Sequence, residues 1–379
     1  MYDYIFAGAG CAALSLACAL QDTILRDKKI LLIDRDAKQQ NDRTWCYWTS
    51  KETPYDHFAT KKWNNIRVQT DFIDLHLPIL PYRYQMLRGA DFYQWAKEIL
   101  AQNPQVHWLQ ADIRSIENTT SGAYVHTTEG DYKGQWVFNS LPPTLPMHRQ
   151  DIRWYQHFKG WFIKTQKPIF DTNTATFMDF RTPQENEVRF LYVLPTSPTE
   201  ALVEFTIFGR QVLEPSAYLP PLLAYISEKL GLEADDYTIV EEEFGVIPMT
   251  TQKFSAKMGN FIVNIGGAGG CIKASTGFTF NNIQKHTQQI LASLLAYGHP
   301  LQAQVRSFQF EMYDHILLNV LDRNRLGGSQ IFETLFKKHP VQRILRFLDD
   351  ETNFLEDLQI MASVPSLPFL KAVGEVFMK

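Results

Sequence analysis

The spacing of apolar residues changes several times along the chain, and each change predicts an element. Tyr4-Ile5-Phe6-Ala7 is an unbroken apolar run of strand length. After Gly8-Ala9-Gly10 the apolar positions Leu14, Leu16, Ala17 and Leu20 read as a helix packed on a sheet. A second strand, Lys29-Ile30-Leu31-Leu32-Ile33, ends at Asp34. The segment 85–105, with Phe92, Tyr93, Trp95, Ala96, Ile99 and Leu100, predicts a helix, and short strands around 106–110, 123–128 and 135–140 predict a small β-meander. From 161 to 208 the pattern is β-rich, with runs at 174–179, 188–194 and 201–208, the last two joined by the turn Pro195-Thr196-Ser197-Pro198. Residues 216–231 read as helix and 237–249 as a strand ending Ile247-Pro248-Met249. Beyond about 311 the chain reads as helical through Leu317, Leu318, Val320, Leu321, Phe347, Leu348, Leu355 and Leu358.

The first strand–turn–helix–strand unit has the chemistry of a dinucleotide fingerprint. Gly8 permits the tight turn, Gly10 lets backbone approach a pyrophosphate, and Ala13 stands where a third glycine sets helix–strand packing. Asp34, at the end of the second strand, can accept hydrogen bonds from an adenosine ribose. Its position at the amino terminus suits FAD in two-domain flavoenzymes better than NAD. A second signature supports FAD: the strand Phe261-Ile262-Val263 runs through Gly266-Gly267-Ala268-Gly269-Gly270 toward a helix expected near Thr276-Gly277-Phe278. Such a turn brings backbone N–H groups and a helix dipole toward a flavin. Many flavin hydroxylases carry Gly-Asp at this point; Gly266-Gly267 departs from them. Arg43, in Asp42-Arg43-Thr44-Trp45, either reaches the adenosine or pyrophosphate or lies in a surface loop, and Arg88 is a further candidate for FAD contact.

Composition narrows the function classes. A chain of 379 residues with 45% hydrophobic and 21% charged residues can bury a large core. The net charge of −4 argues against a general nucleic-acid binder. Four scattered cysteines without a C-x-x-C pair argue against a disulfide framework or a structural metal site, and a reducing cytosol is expected. Neither a secretory signal nor an apolar run long enough to span a bilayer is visible. The 26 Phe and 16 Tyr suit either a ring-lined cavity or a well-packed core.

The run "EALVEFTIF" at 200–208 places an acid in the middle of a hydrophobic strand. With a period of two, Glu204 shares a face with Leu202, Thr206 and Phe208, while Val203, Phe205 and Ile207 point the other way. The residues alone leave two readings: an edge-strand acid facing water, or a carboxyl projecting into an apolar pocket that raises its pKa. Phe177, Phe190, Tyr192 and Phe208 lie on candidate sheet strands, where an aromatic face can stabilise a cation or simply fill the core.

Five stretches, "AGAGCAALSLA", "NDRTWCYW", "RFLYVLPTSPTEALVEFTIF", "EFGVIPM" and "GGAGGCIKASTGF", make the chain resemble the bacterial, flavin-dependent lycopene β-cyclases along nearly its whole length. The third and fifth are the most specific. The resemblance implies an α/β fold like the p-hydroxybenzoate hydroxylase group: a Rossmann-like FAD-binding domain (1–155 and 240–310), an inserted antiparallel β-sheet substrate domain (156–239) and a helical region (311–379). It implies conversion of the linear ends of lycopene to β-ionone rings without net redox change, using reduced FAD with NAD(P)H as electron source. Glu204 would be the essential acid, the glycines at 8, 10, 266, 267 and 269 would lie in FAD-contacting turns with Thr276 and Gly277 beside them, and Glu243 matches a family position. Phe177, Phe190, Tyr192, Phe208 and Pro248 are the expected substrate contacts. A C40 hydrocarbon must come from a bilayer, so a cytoplasmic protein held peripherally on the inner membrane is expected, with neither metal nor nucleic acid as partner. The stretch "IFETLFKKHPVQRILRFLDDE" suits either interfacial docking or an amphipathic helix packed on the protein. An FAD-dependent monooxygenase or isoprenoid reductase acting on an apolar substrate is the alternative.

Overall fold

The computed structural model describes residues 1–143, 148 and 150–377. The apolar amino-terminal run forms the strand Tyr2–Ala7, buried at the centre of a parallel sheet between Ile30–Asp34 and Gly130–Asn139. Val106–Gln110 extends this sheet beyond Ile30–Asp34, and Ile262–Asn264 pairs in parallel with the far end of Gly130–Asn139. Strands buried on both faces read as continuous apolar runs, which is why this part was visible in the pattern. Helices Cys11–Gln21, Gly89–Leu100 and Phe280–Tyr297 cover one face through Leu14, Leu16, Phe92, Ile283 and Ile290.

Two details differ from expectation. The meander consists of Ile113–Thr119, Gly122–Thr127 and Gly130–Asn139, while 106–110 belongs to the parallel part. Residues 83–88 form a strand of a small sheet with Thr44–Thr49 and Lys61–Trp63, so the helix expected over 85–105 starts only at Gly89.

The second large sheet runs in the order Tyr237–Thr250, Arg153–Thr165, Glu200–Gly209, Val188–Ser197, Thr174–Asp179, Asn65–Gln69, Asp74–Pro78. It recruits residues 65–78 from inside the expected first unit, and its edge strand crosses the expected boundary at 240. One face, with Val203, Phe205 and Ile207, packs under helix Leu219–Leu230. That helix ends at Gly231, whose φ of 67° is the left-handed conformation a helix stop uses. The other face, with Phe177, Phe190 and Phe208, packs against Ile331, Phe332, Leu335, Phe336, Ile344 and Leu345 of the C-terminal helices. Each such side chain contributes on the order of 1.5–3 kcal/mol on burial. The basic amphipathic stretch at 331–351 therefore spends its apolar face on the protein core.

The C-terminal region comprises helices Phe308–Asp322, Gly328–Lys338, Val341–Leu348, Phe354–Ser363 and Ser366–Phe377. It is fastened to the glycine turn by a buried ion cluster. Lys273 Nζ lies 2.9 Å from Asp314 and 2.6 Å from Asp350, while Arg306 lies 2.6 Å from Asp314 and 2.5 Å from Asp350.

Candidate active site

One cavity of about 990 Å³ connects the two sheets. At one end it is lined by Gly10, Cys11, Ala12, Arg43, Gly266 and Gly267. At the other it is lined by Cys46, Tyr84, Tyr192, Leu202, Glu204 and Glu243. The fingerprint turn and the acid of "EALVEFTIF" thus open into the same space.

The fingerprint end has the chemistry of an anion cradle. Helix Cys11–Gln21 begins at Gly10 and helix Phe280–Tyr297 at Thr279, both without a side-chain cap among the described residues. The cavity wall includes the first residues of both helices, Cys11, Ala12 and Phe280. Unsatisfied N–H groups and the positive end of each helix dipole therefore border the cavity, as a pyrophosphate or an anionic ring requires. A Cβ at Gly10 would meet no described atom within 4 Å, so the backbone there faces open space. Gly266, at φ 59°, approaches Ala12 so closely that a Cβ would lie 3.0 Å from its methyl group. The helix after the second turn begins at Phe280, not near Thr276; residues 271–279 form an irregular bridge closed by Gly277 N–H donating to the Lys273 carbonyl at 2.7 Å. These features fit an FAD.

The other candidates at this end divide. Arg43 and Gly277 line the cavity. Gly8, at φ 95°, serves the turn, where a Cβ would strike the Ser140 hydroxyl. Gly269 allows a close pass of its own backbone by the Asn264 carbonyl, 2.6 Å from where a Cβ would sit. Ala13 is buried in helix packing. Asp34 accepts the Ala9 N–H at 2.7 Å and the Asp36 N–H at 2.9 Å, which fastens the turn. Arg88 is not a lining residue: it donates to Glu241 at 2.5 Å and stacks on the Phe162 ring at 4.0 Å. Thr276 is buried, its hydroxyl without a hydrogen-bond partner among the described residues.

At the sheet end, Glu204 is 7% exposed. Thr206, two residues along the same face, donates its hydroxyl to Glu204 Oε1 at 2.8 Å. Burial, and then the Glu243 carboxyl beside it, push the Glu204 carboxyl well above the usual carboxylate range. Burial also raises Glu243, against the opposing pull of Glu204, Thr44 and Arg88; Thr44 donates its hydroxyl to Glu243 Oε2 at 2.7 Å. Burial pushes the Tyr84 and Tyr192 phenols and the Cys46 thiol up as well, so all three stay neutral. Of the expected substrate contacts, Tyr192 and Pro248 line the cavity, whereas Phe177, Phe190 and Phe208 lie in the core against the C-terminal helices. Thr44, Tyr84 and Gly160 were not singled out from sequence. An isolated glycine in the strand-like "FKGWF" was the available signal for the last. Among the described residues no cluster of three or more His, Cys, Asp or Glu could hold a metal ion, and no helix is long and apolar enough to cross a membrane.

Comparison with known proteins agrees with this geometry. Solved structures similar to the chain include a geranylgeranyl bacteriochlorophyll reductase-like protein from Thermoplasma acidophilum (TM-score 0.58, 13% identity, covering 99% of this chain and 96% of that one). A variant of the flavin-dependent brominase Bmp2 superposes at TM-score 0.60 with 11% identity over 100% of both chains. The p-nitrophenol 4-monooxygenase PnpA of Pseudomonas putida superposes at 0.57 with 11% identity, covering 100% of this chain and 97% of that one. At these identities they establish the fold, the FAD-binding α/β architecture of flavin monooxygenases and geranylgeranyl reductases. Curated relatives are the lycopene beta-cyclase of Pantoea ananas, 26% identical over 66% of this chain and 63% of that protein, and that of Paracoccus sp., 26% identical over 55% and 52%. The chain thus matches less than two thirds of the length of either relative. The family description "Lycopene cyclase protein" matches residues 3–373, and the chain belongs to that family.

Proposed function

We propose that the protein is a lycopene β-cyclase that converts the linear ends of lycopene to β-ionone rings. The observation that carries this reading is Glu204: a carboxyl kept protonated by burial, facing the same cavity as the anion cradle. Cyclisation adds one proton to the terminal alkene, closes a carbon–carbon bond through a tertiary cation, and releases one proton. No electron is gained or lost. Glu204 holds the proton in an apolar wall of Leu194 and Leu202, and the Thr206 hydroxyl, donating to its Oε1, fixes the carboxyl's direction. Tyr84 and Tyr192 present neutral rings toward the developing cation. FAD would be held by the Gly10 and Gly266-Gly267 turns, the two helix amino termini and Arg43. Bound in its reduced, anionic form, with NAD(P)H as electron source, the cofactor would supply negative charge to stabilise the developing cation.

The substrate class also bears on location. Phe244, Val246 and Pro248 line the cavity on the sheet's edge strand, and Phe244 and Val246 are exposed there, which suits passage of a hydrocarbon. Phe354, Leu355, Leu358, Leu367 and Leu370 are exposed on the last two helices, in keeping with peripheral contact at the inner membrane's cytoplasmic face.

Expression in a lycopene-accumulating bacterium tests the assignment. Ring-closed carotene of unchanged mass is expected. Unchanged lycopene in cells holding flavin-loaded protein removes the reading, and a product that gains oxygen or hydrogen points to monooxygenase or reductase chemistry.

A further inference from the structure

Glu204 does not stand alone. Three neighbouring antiparallel strands, Glu200–Gly209, Arg153–Thr165 and Tyr237–Thr250, place Glu204, Gly160 and Glu243 in one row across the sheet, Gly160 being the register partner of both acids. Residues in register on adjacent strands share a face. Strands lie about 4.8 Å apart, so the two glutamate backbones are roughly 10 Å apart, with one residue between them. Any side chain on the middle strand would separate the carboxyls. The middle residue is glycine, and the space its Cβ would take is already filled. That point is 3.2 Å from Glu204 Cβ, 3.1 Å from Glu243 Cγ and 2.8 Å from Leu202 Cδ1.

The two carboxyls meet over this gap within hydrogen-bonding reach. One oxygen of each is engaged by a hydroxyl from its own side, Thr206 on Glu204 and Thr44 on Glu243. Two carboxylates in contact in a cavity wall cannot both ionise, so the pair retains a proton. The surroundings decide which member keeps it. Arg88 acts on Glu243, offset in part by Glu241. The titratable groups that neighbour Glu204 besides Glu243, among the described residues, include Cys46, Tyr84 and Tyr192, all kept neutral by burial. The anion therefore belongs on Glu243 and the proton on Glu204.

We infer that Glu243 is a positioning residue of the reaction: as the charged member of a two-carboxyl pair built over Gly160, it keeps Glu204 in its acid form and aimed into the cavity. The inference rests on the cyclase reading above, but its test separates from it. Cyclisation of lycopene in vesicles by the FAD-loaded, reduced protein is followed against pH for the wild type, Glu243→Gln and Glu243→Asp. Removing the like charge weakens Glu204's hold on its proton. The alkaline limb of the Glu243→Gln profile is therefore expected to move down by at least one pH unit, a tenfold loss on that limb, with activity recovering toward wild type at lower pH. Glu243→Asp, which keeps the charge, is expected to hold the limb near its original place. A Glu243→Gln loss that is uniform across pH, or a limb that stays or moves up, overturns the inference. Infrared spectroscopy tests the pair without substrate: a protonated carboxyl band is expected in the wild type above neutral pH, absent from Glu204→Gln and titrating at lower pH in Glu243→Gln. A wild type without that band overturns the inference even if it cyclises lycopene, whereas a wild type with the band but no cyclisation refutes only the substrate assignment.

Discussion

Replacing Gly160 by alanine sets two opposing effects against each other. An added Cβ would sit 2.8 Å from Leu202 Cδ1, and Leu202 is only 2% exposed, so it has little room to retreat. The contacts of 3.1 and 3.2 Å to the stems of Glu243 and Glu204 are tighter than carbons normally tolerate. Overpacking of this kind costs about 1–3 kcal/mol. Against it, an alanine restricts the unfolded chain and returns about 0.4–1 kcal/mol, since Gly160 does not have the positive φ that would strain an alanine. Packing wins, and a net destabilisation of about 1–2 kcal/mol is expected. The effect on turnover is larger in proportion, because the methyl group intrudes between the two carboxyls; a misplacement approaching 1 Å at a reacting group lowers rates on the order of a hundredfold. Urea unfolding of the flavin-loaded protein measures the first effect, and pigment formation from lycopene in vesicles the second. An alanine variant as stable as the wild type with full turnover would refute the packing argument at both levels.

Other substitutions probe the remaining parts. Glu204→Gln is expected to keep its flavin and lose cyclisation by at least a hundredfold, read as pigment formed per flavin. Its stability should exceed that of the wild type on the alkaline side. Because the folded-state pKa of Glu204 is raised, the acid's contribution to stability is complete below its unfolded value and lost as pH rises through the folded one, a loss glutamine does not suffer; urea midpoints against pH check this. Gly277→Ala places a Cβ 1.9 Å from Gln156 Oε1 at a φ of 73°, so about 1–2 kcal/mol of backbone strain adds to a displaced side chain, and weaker flavin retention on gel filtration is expected. Asp314→Ala leaves Lys273 and Arg306 sharing one remaining aspartate in a cluster whose side chains are 3–11% exposed. A loss of about 3–5 kcal/mol in urea unfolding is expected, and a loss under 1 kcal/mol would show that the cluster relaxes into solvent.

Much of the flavin-type half was legible from sequence because its information is local. Gly8 to Asp34 is one strand–turn–helix–strand unit, and the run from Phe261 to Gly270 repeats the strand and turn. The orientation of Glu204 was legible for a similar reason: a period of two assigns faces without knowledge of neighbours, and Val203, Phe205 and Ile207 do lie under the helix Leu219–Leu230. What escaped depends on register and on partners distant in the chain. Phe177, Phe190 and Phe208 share the sheet face of Glu204, yet the C-terminal helices, more than a hundred residues later, cover that part of the face and turn expected cavity rings into core. Arg88 looked available until the fold brought Glu241 to it. The strands Asn65–Gln69 and Asp74–Pro78 join a sheet whose other strands begin at Arg153, a pairing that no local pattern encodes.

The same distinction explains how one architecture can serve different chemistry. The fold is shared with monooxygenases and reductases, and the turns and helix termini that fit the cofactor are built from backbone groups. On the cyclase reading proposed above, a chemistry without net oxidation of the substrate need only change the opposite wall of the cavity. Here that wall is part of a sheet face, on which every second residue of a strand points to the same side and register decides which residues of separate strands meet. A glutamate on each flanking strand and a glycine between them require three positions in a sheet otherwise filled with apolar side chains. Burial, and after it the Glu243 carboxyl alongside, then supply the raised pKa of Glu204. A strong acid in such a wall would be ionised and a hydrated one would lose its proton to water, so an apolar sheet carrying a carboxyl pair is a physically economical way to hold the proton that the proposed cyclisation requires.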